Sequence, residues 1–330
     1  MSRDFREGRA GSHIRVESRI TNHESRISRG LVAALAFCAA TAAGDVTAAD
    51  FTFGALGDLP YSRDEEERFP GLIAEMGREE LAFVVHVGDF KGATATCSDE
   101  IFLERRAWFD ASPHPFIFLP GDNEWTDCRR PFGAARDPLE RLDKLRELFF
   151  FSPTTLGQRR LSLVRQASPA GGYRYPEHAR WEHEGVLFIT LNVPGPANFP
   201  QAAAEYAVRS RAVRQWLTES FASARARGLR GVVVFMHADA WSNAGQPRRA
   251  FADLLEMLTT ETRNFSGEVL LVNGDSHRYR VDRPLRDPGT GAPLGNFLRV
   301  MVFGSPWMRW VRIRVSEEAG RIRFEASPGD

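Results

Sequence analysis

Five apolar runs in this chain of 330 residues each stop at a residue able to ligate a metal. FTFGALGD ends at Asp58, FVVHVGD at Asp89, FIFLPGD at Asp122 and VLLVNGD at Asp275, while VVVFMHAD delivers His237. One Gly-Asp after a hydrophobic run is ordinary turn chemistry, because Gly takes positive φ and Asp bonds its own backbone. Recurrence at the end of run after run asks for another cause. Continuous apolar runs of this kind read as strands buried on both faces, as in parallel sheets. In an open α/β sheet, ligands bind beyond the carboxyl ends of the strands, so the pattern predicts an acidic rim there.

The intervening segments agree with that architecture. Strand-like runs at 51–56, 82–87 and 115–119 alternate with helix-like stretches at 64–79 and 99–108. This β-α-β-α-β order implies crossover connections and a largely parallel sheet. A helix is expected over 137–149, where Leu139, Leu142, Leu145 and Leu148 recur behind Asp137 as a cap. A hairpin turning into a strand is expected within 181–192, a long helix over 201–227, and strands at 231–236 and 268–272. The runs 297–303 and 309–315 read as closing antiparallel strands. At 43% hydrophobic residues the chain can bury a full core, and no composition break divides 50–330, which is read as a single domain.

The first residues read differently. In 1–30 the tetrapeptide ESRI at Glu17 to Ile20 returns at Glu24 to Ile27, a low-complexity leader or the mark of a start codon set too early. Leu31 to Ala43 is a short apolar run behind Arg26 and Arg29, with small residues up to Ala49, so 31–49 reads as a secretory signal peptide. Cleavage after Ala49 is preferred and after Ala43 comes second. The run is shorter than the roughly 20 residues that span a bilayer, so no membrane span is expected. Phe37 before Cys38 fits a lipoprotein site poorly. The protein is therefore expected to be exported, periplasmic or secreted. Export leaves Cys97 and Cys128 as the mature cysteines, and an oxidising compartment favours a disulfide between them. The alternative, a thiolate metal ligand, lacks a Cys-x-x-Cys or Cys/His spacing.

A formal net charge of zero supplies no whole-chain case for a nucleic-acid or anionic-membrane partner. No Walker loop, no GxGxxG after the first strand and no GxSxG elbow is present. Pro60 stands where a phosphoaspartate mechanism would want a second aspartate.

In order and spacing these strand ends resemble the calcineurin-like metallophosphoesterase superfamily over about residues 51–315. Its Asp-x-His motif falls on Asp58-Leu59-Pro60, and its Gly-Asp on Gly88-Asp89. Gly-Asn-His-Glu falls on Gly121-Asp122-Asn123-Glu124, the lone strand-end His on His237, and Gly-His-x-His on Gly274-Asp275-Ser276-His277. The chain is most similar to a divergent exported branch with GDxPY, GDF, GDNEW, His and GDSH motifs. The resemblance implies an α/β sandwich with a metal site at the strand C-terminal ends. It also implies one cation on Asp58, Asp89 and His277, and a second on Asp89, Asp122, His237 and Asp275. The implied activity is phosphoester hydrolysis by metal-activated hydroxide, with Asp89 as the bridging carboxylate and Asn123 in the place of a catalytic histidine. Three motif histidines are replaced, which leaves a second reading: a non-catalytic member of the fold that binds a metal or a phosphorylated ligand.

Elementary electrostatics points the same way, since four adjacent carboxylates repel unless cations neutralise them. An oxygen-rich donor set favours Mn²⁺, Mg²⁺ or Fe over Zn²⁺. Two ions are expected, one being the reduced alternative. Lys91 is a candidate for a phosphate oxygen or for solvent. Tyr61, Trp125 and Trp241 are candidates for the pocket wall or for core cover. His86 is read as strand packing, and His114, His178 and His183 as surface turns. The substrate beyond a phosphoester, and the oligomeric state, stay open.

Overall fold

The computed structural model describes residues 49–131, 134–167 and 173–329. The expected leader and, apart from Ala49, the expected signal segment lie outside the described residues. The elements run β1 (Asp50–Leu56), α1 (Arg63–Met76), β2 (Val84–His86), α2 (Asp99–Asp110), β3 (Phe116–Phe118), α3 (Pro138–Phe149), β4 (Val164–Ala167), β5 (Tyr173–His183), β6 (Val186–Thr190) and α4 (Ala203–Ala226). Then follow β7 (Gly231–Phe235), α5 (Ala252–Arg263), β8 (Glu268–Asn273), β9 (Arg280–Asp282), β10 (Phe297–Met301), β11 (Val311–Glu318) and β12 (Arg321–Pro328).

Two sheets form, in strand orders β12-β11-β1-β2-β3 and β4-β5-β6-β7-β8-β10-β9. The β-α-β-α-β segment gives the expected parallel block β1-β2-β3, and the two sheets form the expected α/β sandwich. Parallel pairing holds within β1-β2-β3 and within β6-β7-β8-β10, and antiparallel strands flank each block. Alternation along β7 explains why its sequence is apolar throughout. Val233 and Phe235 enter a core between the sheets with Phe53, Val85 and Ile313, whereas Val232 and Val234 pack with Leu217 and Leu258 of α4 and α5. A third core joins α1, α2 and α3 to the outer face of β1-β2-β3. The layers are therefore helix, sheet, sheet, helix.

Local signals place the helix starts. Ser62 caps α1 by accepting from Glu65 N, Ser98 caps α2, and Asp137 caps α3 by accepting from Leu139 N. One correction concerns strands. The run 297–303 supplies β10, which lies parallel to β8 rather than antiparallel. The run 309–315 supplies β11, which does pair antiparallel, but with β1 in the other sheet. Sequence reasoning also passed over β4, β9, β12 and α5; β12 buries Ile322 and otherwise carries half-buried or exposed side chains. Among the described residues no helix is long and apolar enough to cross a membrane.

Candidate metal centre

The ends of β1, β2 and β3 from one sheet and of β7 and β8 from the other meet on one rim. Their backbone turns sharply there: Asp58, Asp89, Asp275 and His277 have φ of 55°, 60°, 72° and 55°. This left-handed region is rare for residues with a Cβ, Asp and His being among those that enter it most often. Each such residue costs about 1–3 kcal/mol, and such conformations cluster at functional sites.

Backbone donors fix the acids. Asp89 Oδ1 accepts the N–H groups of Asp122 and Asn123, both at 2.9 Å, and Oδ2 accepts the Tyr61 hydroxyl at 2.7 Å. Gly121 makes this possible, because a Cβ there would sit 2.1 Å from Asp89 Oδ1. The Glu124 carboxylate, fully buried, accepts from Asp89 N at 3.1 Å and Gly121 N at 2.7 Å, tying β2's loop to β3's. Asp58 accepts Asp275 N at 3.0 and 3.2 Å, and Asp275 Oδ2 accepts Asp239 N at 3.1 Å.

The two histidines are set in the same way. His237 Nδ1 lies 2.9 Å from Val87 O, and His277 Nδ1 2.9 Å from Ser305 O. A carbonyl only accepts, so Nδ1 carries the proton in both rings and Nε2 is the nitrogen left for a ligand. His237 Nε2 faces Asp122 Oδ1 at 2.9 Å and Asp89 Oδ1 at 3.5 Å, and His277 Nε2 faces Asp58 Oδ1 at 3.4 Å. A lone pair against a carboxylate oxygen is repulsive unless a proton or a metal cation joins them. Asp122 Oδ1 and His237 Nε2 are both buried, and neither makes a hydrogen bond among the described residues. The chemistry of this donor set fits divalent cations.

By distance alone the donors fall into Asp58, Asp89 and His237, and into Asp122, His237 and Asp275, each group spanning less than 4.8 Å. The Nε2 of His237 holds one lone pair and can serve one cation only, whereas a carboxylate has two oxygens. Asp89, in the first group, also lies beside His237, which both groups contain, with Oδ1 3.5 Å from Nε2.

Charge is out of balance here. Burial pushes the Asp58 carboxyl well above its usual range, with Asp89 and Asp275 adding to the rise against the pull of His237. Burial likewise raises Asp122, Asp275 and, to a larger extent, Glu124. Burial works against charge on His237, yet Asp89, Asp122 and Asp58 outweigh it and hold its pKa well above the ordinary value. Every shift reports a cluster short of positive charge.

Asp58, Asp89, Asp122, His237, Asp275 and His277 are thus brought together, and two other expected residues join them. Tyr61 is half-buried; its hydroxyl accepts from Asn123 Nδ2 at 3.0 Å while donating to Asp89, and its ring lies edge-on to His277 with centroids 5.0 Å apart. Asn123 Nδ2 also donates to Lys91 O at 3.1 Å, so both its amide hydrogens are engaged. Lys91 is buried instead of solvated; Nζ donates to Gly92 O and Ala95 O, and burial lowers its pKa. Trp125 is fully buried against Phe199 and under the Arg209 guanidinium and covers the interior, whereas Trp241, also in the core, lines a cavity with Pro247, Leu255 and Arg286. His114 and His178, expected on surface turns, are buried, the latter inside β5. His86 is buried in β2, as expected. Cys97 and Cys128 form a disulfide.

Two supporting residues escaped the sequence reading. Glu65 is buried and accepts from Tyr61 N at 2.5 Å and from Ser305 Oγ at 2.7 Å, joining the loops that carry Asp58 and the carbonyl partner of His277. The Ser62-x-x-Glu65 spacing of a capping box was its signal. Asp239 was signalled by its place two residues beyond His237.

No protein-family model matches this chain, and no curated protein does either. Solved structures do. PhoD superposes with a TM-score of 0.53 at 12% identity, over 81% of this chain and 64% of that one. Purple acid phosphatase PPD1 from yellow lupin (Lupinus luteus) seeds superposes with a TM-score of 0.52 at 12% identity, over 86% of this chain and 52% of that one. The chain thus spans just under two thirds and about half of the lengths of these neighbours. Two sheets between layers of helices, with strand-end acids on a common rim, give the chain the fold of these two neighbours, PhoD and purple acid phosphatase PPD1.

Proposed function

We propose that this chain is an exported, metal-dependent phosphoester hydrolase. The observation that carries the reading is the buried contact between Asp122 Oδ1 and His237 Nε2, two atoms left without hydrogen bonds in a cluster of four carboxylates. Asp58, Asp89 and His277 would hold one cation, and Asp89, Asp122, His237 and Asp275 the other. Divalent cations bound there would polarise a phosphoryl group and lower the pKa of a coordinated water. The protein's own part is positioning. Val87 O and Ser305 O fix the histidine tautomers, and the N–H groups of Asp122 and Asn123 hold Asp89 in place. Tyr61, half-buried beside Asp89 and His277, is the expected substrate-side hydroxyl, whereas Lys91, held on backbone carbonyls, leaves phosphate recognition to other groups.

A second reading, a non-catalytic binder of metal or phosphorylated ligand, draws on Asn123. An amide cannot donate a proton at neutral pH, and both of its N–H groups are already engaged. General acid catalysis is typically worth about 10²–10⁴-fold. The hydrolase is therefore expected to favour esters with good leaving groups. The test is hydrolysis of 4-nitrophenyl phosphate and bis(4-nitrophenyl) phosphate by Mn²⁺-loaded protein. Activity that vanishes with chelator and returns with Mn²⁺ supports the hydrolase; bound metal with no hydrolysis of either ester supports the binder.

A further inference from the structure

Arg299 is fully buried in β10, next to β8. Its guanidinium grips Asp282 with two bonds, Nε to Oδ1 at 2.8 Å and Nη2 to Oδ2 at 2.7 Å. Nη1 donates to Asp239 Oδ1 at 3.0 Å, and the charge lies 4.8 Å from the centroid of the Trp241 ring. Asp239 is itself buried and uses its other oxygen to accept Ser276 Oγ at 2.8 Å. Its backbone N–H is the donor to Asp275 Oδ2 at 3.1 Å.

A buried ion pair is weak evidence for stability, since desolvation offsets much of the attraction. The geometry points to another use. Asp89 is gripped by three hydrogen bonds, whereas the Asp58 carboxylate takes the Asp275 N–H and the Asp275 carboxylate takes the Asp239 N–H. The same Asp239 fixes the adjacent Ser276. We infer that Asp239, anchored by Arg299, is a positioning residue that aims Asp275 at the Asp122–His237 cation position.

The inference rests on the metal-centre reading, and its test separates the two. Apo protein is titrated with Mn²⁺ by calorimetry, with stoichiometry checked by elemental analysis and folding by thermal unfolding. Wild type is expected to bind two ions. Asp239→Asn should weaken Mn²⁺ binding at the Asp122–His237 position roughly 10- to 100-fold, the usual effect of losing a partner that orients a ligand, and the other position less, through the Asp275 N–H that Asp58 accepts. Excess Mn²⁺ should restore full occupancy, which a protein that had merely unfolded could not do. Should Asp239→Asn unfold the protein, the pair Asp239→Asn with Arg299→Met removes both buried charges and must give the same loss of affinity. Two ions bound with wild-type affinity by a folded variant would overturn the inference alone. Failure of wild type to bind Mn²⁺ would overturn the metal-centre reading and this inference with it.

Discussion

The Tyr61 hydroxyl donates to Asp89 Oδ2 at 2.7 Å while accepting from Asn123 Nδ2 at 3.0 Å, so one side chain joins the loops after β1, β2 and β3. Tyr61→Phe leaves a ligand carboxylate and an amide each short of a partner, which costs about 1–3 kcal/mol where the groups are buried. Asn123→Ala removes part of the same chain of bonds. The two changes should therefore be non-additive in urea unfolding, with a coupling energy of about 0.5–3 kcal/mol. Strict additivity would mean that the three residues do not act as one unit.

The Cys97–Cys128 disulfide encloses a sequence separation of 31 residues, and its sulfurs lie 3.6 and 3.7 Å from Asn123 O. It joins the segments downstream of Asp89 and Asp122. Replacing both cysteines by serine is expected to cost about 3–4 kcal/mol on the chain-entropy account. The measurement is the shift in denaturant midpoint, and a loss under 1 kcal/mol would remove the bridge as a stabilising element.

Glu177 supplies a pH prediction away from the metal centre. Burial alone would raise its pKa, but Arg146, bonded to both oxygens at 2.8 and 3.1 Å, holds it at about 2 against a reference of 4.5. Its folded value is below its unfolded one, so its contribution is fully present above the unfolded pKa and fades as pH falls towards 2. Breaking such a buried pair typically costs about 3–5 kcal/mol, so Glu177→Gln should destabilise by that order at pH 7. The gap from wild type should close between pH 4.5 and about 2. A gap independent of pH would mean that the lost stability is packing.

What the sequence made legible was whatever a single strand end could announce. Asp58, Asp89, Asp122, His237 and Asp275 each close a run buried on both faces, and the parallel blocks carry those runs to one rim. Orientation was another matter. Lys91 and Trp125 stand beside ligands in sequence, yet the backbone turns them into carbonyls and core, and no spacing rule encodes which way a loop side chain faces. Pairing of distant strands was likewise hidden: β11 joins β1 across 266 positions at Asp50↔Ser316 and so belongs to the first sheet. Its hairpin partner β12 buries Ile322 beneath an otherwise polar edge, too little apolar periodicity to read as a strand. Arg299 was invisible for a different reason, because a buried arginine in a strand makes sense only once Asp239 and Asp282 are known to surround it.

Gly121 tests the geometry of the centre without touching a ligand. A methyl group there would meet Asp89 Oδ1 at 2.1 Å and Asp89 N at 2.6 Å, neither of them the far end of a flexible side chain. Gly121→Ala is therefore expected to weaken metal binding at both positions while the protein stays folded. Wild-type metal content in this variant would show that Asp89 need not be held where it is.

The most direct test of the account counts ions. Wild-type protein and Asp89→Ala, dialysed to equilibrium against Mn²⁺ and analysed for metal per chain, should carry two ions and none, because Asp89 is the carboxylate proposed to serve both ions. Asp58→Ala should empty one position only. A wild-type protein without metal, or an Asp89→Ala protein that still carries two ions, would contradict the account.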